Sequence, residues 1–461
     1  MRKFLLATMF LATLVAAVPA FAAVQNIKVS GDIDSKYVYR DRFDLRGRDQ
    51  GNNVQFEQDL FLTQTRLRVD AELTDNVSAT VALINERVWG DEADANSTPQ
   101  IDLNLAYVQL REMLYSPLTV QVGRQLFNYG NAFVIGAGGV NNTISAGGLN
   151  GVAEDLSKRT AYDGVKMVFD YNPLTIDLFA AKADANNSLG VGSQKDDVDL
   201  YGVNGNYHLG DEMDTTIEAY FFSKFDRSLN VSTTGSKADT VYTPGLRAST
   251  NPVKGLNLQA EAAWQRGNKV VVAGDSQQRD AFGAQVITNY QVPLEQTAKW
   301  NPVITGVYTY TSGDSNPGNV RAANQVSTNR WTAWDPMFED QAGGTIYNSL
   351  FDLTNSHIAS ASAQVNPIED VTAKVTWTGL WLDKEVKSST FSMRQPDGVG
   401  ISPKVTTNKD IGYEVDADLM YDYTEDVQLG LSLGWFVPGN FFDSANNENA
   451  KQAIAKVGVA F

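Results

Sequence analysis

Apolar and polar residues alternate with a period of two along most of the chain. Val427, Leu429, Leu431, Leu433, Trp435 and Val437 alternate with Gln428, Gly430, Ser432, Gly434 and Phe436. Ile411, Tyr413, Val415, Ala417, Leu419 and Tyr421 alternate with Gly412, Glu414, Asp416, Asp418, Met420 and Asp422. Shorter versions run through Leu67, Val69, Ala71 and Leu73, and through Leu256, Leu258, Ala260, Ala262 and Trp264. Successive side chains of a strand point to opposite faces, so each stretch has one apolar face and one mostly polar face. Strands of soluble sandwiches average about 5–6 residues, whereas about ten are needed to cross a bilayer at a tilt. The pattern predicts an all-β, transmembrane antiparallel barrel.

Such stretches fall near 27–42, 56–74, 77–90, 101–112, 117–129, 161–171, 174–184, 197–208 and 215–226. They continue near 239–250, 255–267, 280–291, 300–313, 352–366, 370–384, 408–423, 426–438 and 449–461. That is about eighteen, an even number as single-chain bacterial barrels require. Short turns such as Thr74-Asp75-Asn76, Asn172-Pro173 and Thr424-Glu425 alternate strictly with longer polar loops at 43–55, 131–160, 314–351 and 385–407. Short periplasmic turns facing long extracellular loops mark an outer-membrane barrel. Trp89 and Trp435 at one set of strand ends, and Tyr171, Tyr207, Tyr290 and Tyr423 at the other, suit the two headgroup levels.

Composition changes the picture at the N-terminus and in the choice of partner. Arg2-Lys3, an apolar run over residues 4–18 and Ala20-Phe21-Ala22 read as a signal peptide, residues 1–22, with the barrel domain over 23–461. The first strand then starts too close to the cleavage site to leave room for a plug domain. Loss of Arg2 and Lys3 takes the formal charge from −17 to −19. Such acidity argues against nucleic acid, and the lack of cysteine excludes disulfides and Cys-ligated metals.

Candidate chemistry is sparse. His208 and His357 lie near opposite barrel ends, and Ser356 beside His357 points to the other face, so a nucleophile–base pair is not expected. Gly136-Ala137-Gly138-Gly139 lacks the Lys-Ser/Thr of a phosphate loop. Asp91, Glu92 and Asp94 form an acidic loop able to hold Ca²⁺ or simply to stay solvated. No metal or cofactor is expected. The inward face is more telling, because a barrel of this width encloses water and its lining sets what passes. Arg66, Arg68, Arg111 and Lys166 gather bases on one arc, whereas later strands supply Glu218, Glu261, Glu414, Asp416 and Asp418, with Arg247 among them. Residues 131–160, rich in glycine and ending in Lys158-Arg159, are long enough to fold into the lumen as a constriction.

Gly123-Arg124-Gln125, then Tyr129-Gly130, a Gly/Asn-rich loop and Ala161-Tyr162-Asp163-Gly164-Val165 resemble the core of the alginate-export family of outer-membrane channels. Glu261 with Gln265 and Gly267, Ser312-Gly313-Asp314, and Val437-Pro438-Gly439 are similar too. The resemblance implies a monomeric barrel that passes an anionic polysaccharide by a ring of arginines, with Arg66, Arg68, Arg111 and Arg124 in position for that role. Arg124 shares the parity of Leu118, Val120 and Val122, so it reaches the lumen only if a bulge at Gly123 shifts the register.

The resulting expectation is a passive outer-membrane porin of a Gram-negative-type bacterium for hydrophilic or anionic solutes. A structural or adhesive barrel and a barrel hydrolase are the competing readings. Its partners are then membrane lipid, the solute and the barrel assembly machinery. Alternating apolar residues that close on Phe461 resemble the signal that machinery reads. Deleting Phe461 should lower the yield of heat-modifiable barrel in the outer membrane while leaving export to the periplasm intact.

Overall fold

A computed structural model of the chain describes residues 25–47, 57–90, 101–137, 154–159, 161–184, 198–227, 238–272, 275–293, 300–315, 330–341, 345–385 and 408–461. The signal peptide, Asp91, Glu92 and Asp94 lie outside the described residues. The first nine strands are β1 (Asn26–Asp41), β2 (Glu57–Thr74), β3 (Val77–Val88), β4 (Asp102–Leu110), β5 (Leu118–Gln125), β6 (Tyr162–Asp170), β7 (Leu174–Asp184), β8 (Val198–His208) and β9 (Thr216–Asp226). The second nine are β10 (Asp239–Val253), β11 (Leu256–Val272), β12 (Asp275–Gln291), β13 (Val303–Thr311), β14 (Ser356–Ile368), β15 (Val371–Leu382), β16 (Asp410–Asp422), β17 (Val427–Pro438) and β18 (Ala450–Ala460). Each pairs antiparallel with its neighbours in sequence, and β1 closes on β18, giving one 18-stranded barrel. Closure gives every strand a hydrogen-bonded partner on both sides, which hydrocarbon demands.

Burial runs opposite to that of a soluble protein. Leu429, Leu431, Leu433 and Trp435 are exposed on the outer face, whereas inward Gln64 and Glu86 are wholly buried. Trp89 stacks on Phe61 at 4.9 Å at the long-loop rim, and Tyr171, Tyr207 and Tyr423 are exposed at the short-turn rim. The C-terminus seals the seam: Gly31 N–H donates to Phe461 O at 2.8 Å and Phe461 N–H to Gly31 O at 3.0 Å. A side chain at position 31 would collide with the Phe461 ring, so glycine is needed there.

Three features depart from the alternation. Ile411 leaves the lipid-facing row for the interior, because the β15–β16 register skips it between Leu380–Gly412 and Trp381–Asp410. Gly412 carries that bulge at φ +126°, where a Cβ would strike Val437 O. The strict alternation of connection lengths also fails twice, since only residues 273–274 join β11 to β12 on the long-loop side and residues 292–302 lie on the short-turn side. Finally, β5 stops at Gln125 because the chain turns inward there.

That turn changes the lumen. Instead of enclosing only water, the barrel takes in two segments from its long loops: residues 126–137 with 154–159, and residues 331–341 with 345–355. The second contains the short helix α1 (Ile346–Leu350). Phe127, Tyr129, Phe133, Ile135, Trp334 and Phe338 form a buried core inside the wall. Leu431→Arg should cost the barrel roughly 2–4 kcal/mol, the usual penalty for a cation on the lipid face. Ser432→Arg, on the face where Ser432 Oγ donates to Asp418 at 2.6 Å, should leave the melting temperature nearly unchanged and alter conductance.

Candidate functional site

Aromatic packing draws the first segment inward. Phe127 stacks on Phe179 of the wall at 4.7 Å, and Tyr129 stacks on the same ring at 5.2 Å. Buried carboxylates then fix the backbone. Gly130 N–H donates to Glu218 Oε1 at 2.9 Å and Asn131 N–H to Glu261 Oε2 at 2.7 Å. Tyr220 O–H donates to Glu261 at 2.7 Å, and Arg247 Nε–H donates to Asn131 Oδ1 at 2.6 Å. Gly130 sits at φ +62°, with a would-be Cβ only 2.7 Å from Glu261. Burial beside Asp177, which accepts its hydroxyl, pushes Tyr129 far above the ordinary tyrosine range.

The same device recurs. Glu86 accepts Lys158 N–H and Ser157 O–H at 2.7 Å each. Glu414 accepts Ile346 N–H at 2.8 Å and Tyr347 N–H at 2.7 Å, at the start of α1. The two segments join through Gly136 N–H to Phe338 O and Phe338 N–H to Val134 O, with Phe133 stacked on Trp334 at 5.2 Å. Glu218, Glu261 and Arg247 are therefore brought together, but Glu218 and Glu261 are buried against the inserted chain. They were expected to line open water. Their carboxylates instead replace water for backbone donors that would otherwise be orphaned.

Below these segments the wall of β1, β2 and β18 is polar. Arg66 pairs with Asp32 at 2.6 Å and Arg68 with Asp70 at 2.7 Å, both guanidiniums remaining about 40% exposed. Lys158 descends from the inserted segment to bridge Asp32 at 2.9 Å and Asp34 at 2.6 Å, and Lys456 approaches Asp34 at 3.3 Å. Asp32, Asp34, Arg66, Lys158 and Lys456 line a cavity of about 660 Å³, with Asp422, Glu425 and Asp426 at its mouth. Sequence reasoning missed Asp32, Asp34, Lys36 and Lys456, because only the closing register sets Lys36 opposite Lys456.

The remaining candidates separate. Arg111 lies beyond β4 in a short turn, exposed, with its N–H donating to Asn76 O, so it does not join Arg66 and Arg68. Arg124 faces outward, a correction to its place in the ring. The β4–β5 and β5–β6 registers run unbroken through Gly123, and Arg124 pairs with Asp163 at 3.0 Å on the face of exposed Val122 and Met167. Lys166 is inward and half-buried beside Phe179 in register. Asp416 and Asp418 are inward too, Asp418 lying opposite Lys374. Ser356 Oγ bonds to Thr311 Oγ1 while His357 Nδ1 meets Tyr308 O–H on the other face, which gives no nucleophile–base contact.

With this geometry the comparisons with known proteins can be read. The family model described as Alginate export matches residues 28–456. The chain belongs to that family. None of the curated proteins matches it. Among solved structures, Pseudomonas aeruginosa OpdQ is 13% identical, with a TM-score of 0.54 over 95% of this chain and 98% of that one. The P. aeruginosa outer membrane protein opdK is 10% identical (TM-score 0.57, 95% and 99% covered). P. aeruginosa OccK2 (OpdF) in complex with glucuronate is 9% identical (TM-score 0.55, 95% and 99% covered). At these identities the likeness is one of fold. This alginate-export member is an outer-membrane porin, its wall spanning the bilayer and its lumen narrowed by its own loops.

The second segment is held by charge. Asp335 receives Lys224 at 2.6 Å and Arg279 at 3.5 Å, and its backbone exchanges two hydrogen bonds with Gln265. Burial works to raise its pKa, but Lys224, Arg279 and Lys269 outweigh that and hold the carboxyl far below the usual range. A carboxyl depressed on folding stabilises fully above its unfolded pKa, about 4, and that stability fades as pH falls toward the folded value. Asp335→Asn should therefore lower the unfolding temperature at pH 7, and the gap from wild type should narrow below pH 4.

Proposed function

We propose that this porin is a passive channel for hydrophilic anionic solutes, from single sugar acids to anionic polysaccharide. The observation that carries the reading is the wall of β1, β2 and β18, where half-exposed Arg66 and Arg68 face the lumen beside Lys158 and Lys456. Guanidinium forks match carboxylates in geometry and charge. Each cation here already has a carboxylate partner, so a passing solute carboxylate exchanges with Asp32 or Asp70 rather than entering a bare cationic trap. Sites that bind weakly and in series let a polyanion both enter and leave. Family membership and the glucuronate bound by the similarly folded OccK2 support the same solute class.

The reading includes export through residues 1–22, insertion by the barrel assembly machinery through Phe461, and transport without catalysis. In a planar bilayer at low salt, Arg66→Ala with Arg68→Ala should shift the reversal potential toward cations, lowering the anion-to-cation permeability ratio by a factor on the order of two. Added salt should shrink the shift by screening. Arg111→Ala, at the turn, should change selectivity far less. Unchanged selectivity in the double variant at low salt would sink the basic-arc reading.

A further inference from the structure

The outer face at the long-loop rim carries a charged feature that transport does not use. Arg266 on β11 and Arg330 both bring Nη1 to the carboxylate of Asp280 on β12. Their side chains remain 55% and 63% exposed. The β11–β12 register sets Arg266 opposite Asp280 and Trp264 opposite Phe282, and Trp264 is exposed on the same face. Arg266 is thus outward, one pleat repeat above an aromatic girdle in which Trp264 meets Phe282 at 5.1 Å and Phe282 meets Tyr310 at 6.1 Å.

Height follows from the strand itself. Ten residues separate Leu256, at the short-turn end of β11, from Arg266. At about 3.4 Å per residue and a tilt near 40° that is roughly 25 Å, the height of a barrel's apolar band. The two guanidiniums therefore stand where hydrocarbon ends and outer headgroups begin. Below them, exposed Leu246, Trp264 and Val286 offer an apolar strip.

The local balance is cationic, two guanidiniums sharing one carboxylate. Elsewhere at this rim, outward Arg124 pairs with Asp163 and is 19% exposed, and Arg227 shares Asp199 with Lys182. The opposite rim has the reverse sign, with Asp211, Glu212, Asp214, Glu369, Asp370 and Glu425 in its turns. A single-headed carboxylate leaves Nε–H and Nη2–H donors on both arginines for an oxyanion. From this we infer that Arg266 and Arg330 form a binding site for a phosphate group on a glycolipid of the outer leaflet, its acyl chains lying on the Trp264 strip. A phosphate monoester carries about −1.5 to −2 charges and accepts bidentate arginine forks. Asp280 holds the two forks side by side and keeps them from folding away.

The site is tested on the full barrel in mild detergent, by native mass spectrometry with a diphosphorylated glucosamine-disaccharide lipid, its dephosphorylated counterpart and inorganic phosphate as competitor. Wild type should retain the phosphorylated lipid, and Arg266→Ala with Arg330→Ala should lower its occupancy about tenfold, the loss of one to two charge-assisted bonds. Arg266→Lys with Arg330→Lys keeps the charge but not the fork, and should fall between. This conservative pair decides the matter if the alanine pair does not fold to a heat-modifiable barrel. Equal retention by wild type and variants, or equal retention of the dephosphorylated lipid, would overturn the site. Displacement by millimolar inorganic phosphate with no dependence on acyl chains would likewise overturn it as a lipid site.

Discussion

Backbone N–H groups taken away from water must find an acceptor, and that constraint shapes the interior of this barrel. The wall answers it with carboxylates. Glu86, Glu218, Glu261 and Glu414 come from strands far apart in sequence, yet each accepts hydrogen bonds from inserted chain. A carboxylate accepts two or more donors at once and bonds more strongly than a neutral acceptor, so a few such side chains satisfy much of the inserted backbone. Aromatic stacking supplies the drive to leave water, and the glutamates decide where the segments stop. Gly130 is the counterpart of this arrangement, since its missing side chain is what lets Glu261 come so near.

The charges of the polar wall follow a second logic. Arginines, lysines and aspartates alternate there so that cations stay exposed without being solitary. An isolated cation next to a low-dielectric wall would hold an anion too long, and a fully shielded one would not attract it. Pairing across neighbouring strands, as in Arg66 with Asp32, sets the strength between these limits. Lys158 ties this wall to the inserted chain, so the narrowing and the charge lining are parts of one assembly.

Strand number, strand ends and the lipid-facing rows were legible in the sequence because side-chain alternation is a local property. Leu429, Leu431 and Leu433 sit where alternation puts them. Ile411 does not, since a bulge is a property of two strands and shows only in their pairing. Arg124 depended on the same kind of information, and its unbroken register turned it outward. Glu218, Glu261 and Glu414 were visible as inward residues, but the acids' partners are backbone atoms 67 to 130 residues away, which no period reveals. Lys36 and Lys456 escaped notice for a related reason, being neighbours only through closure.

Closure itself has a consequence for how such a chain is made. The seam joins residues at the two ends of the barrel, Asp32 with Ala460 through Asp41 with Lys451. Until the last strand is in place, β1 and β18 would each present a row of unpaired donors and acceptors, the kind of edge that recruits other chains. Every other strand has its partner close behind it in the sequence, so the seam alone must wait for the largest loop-closure entropy in the molecule. The fold is thus vulnerable to aggregation mainly at one moment. The final residues, with Phe461 clasping Gly31, end that exposure and make the folded wall continuous.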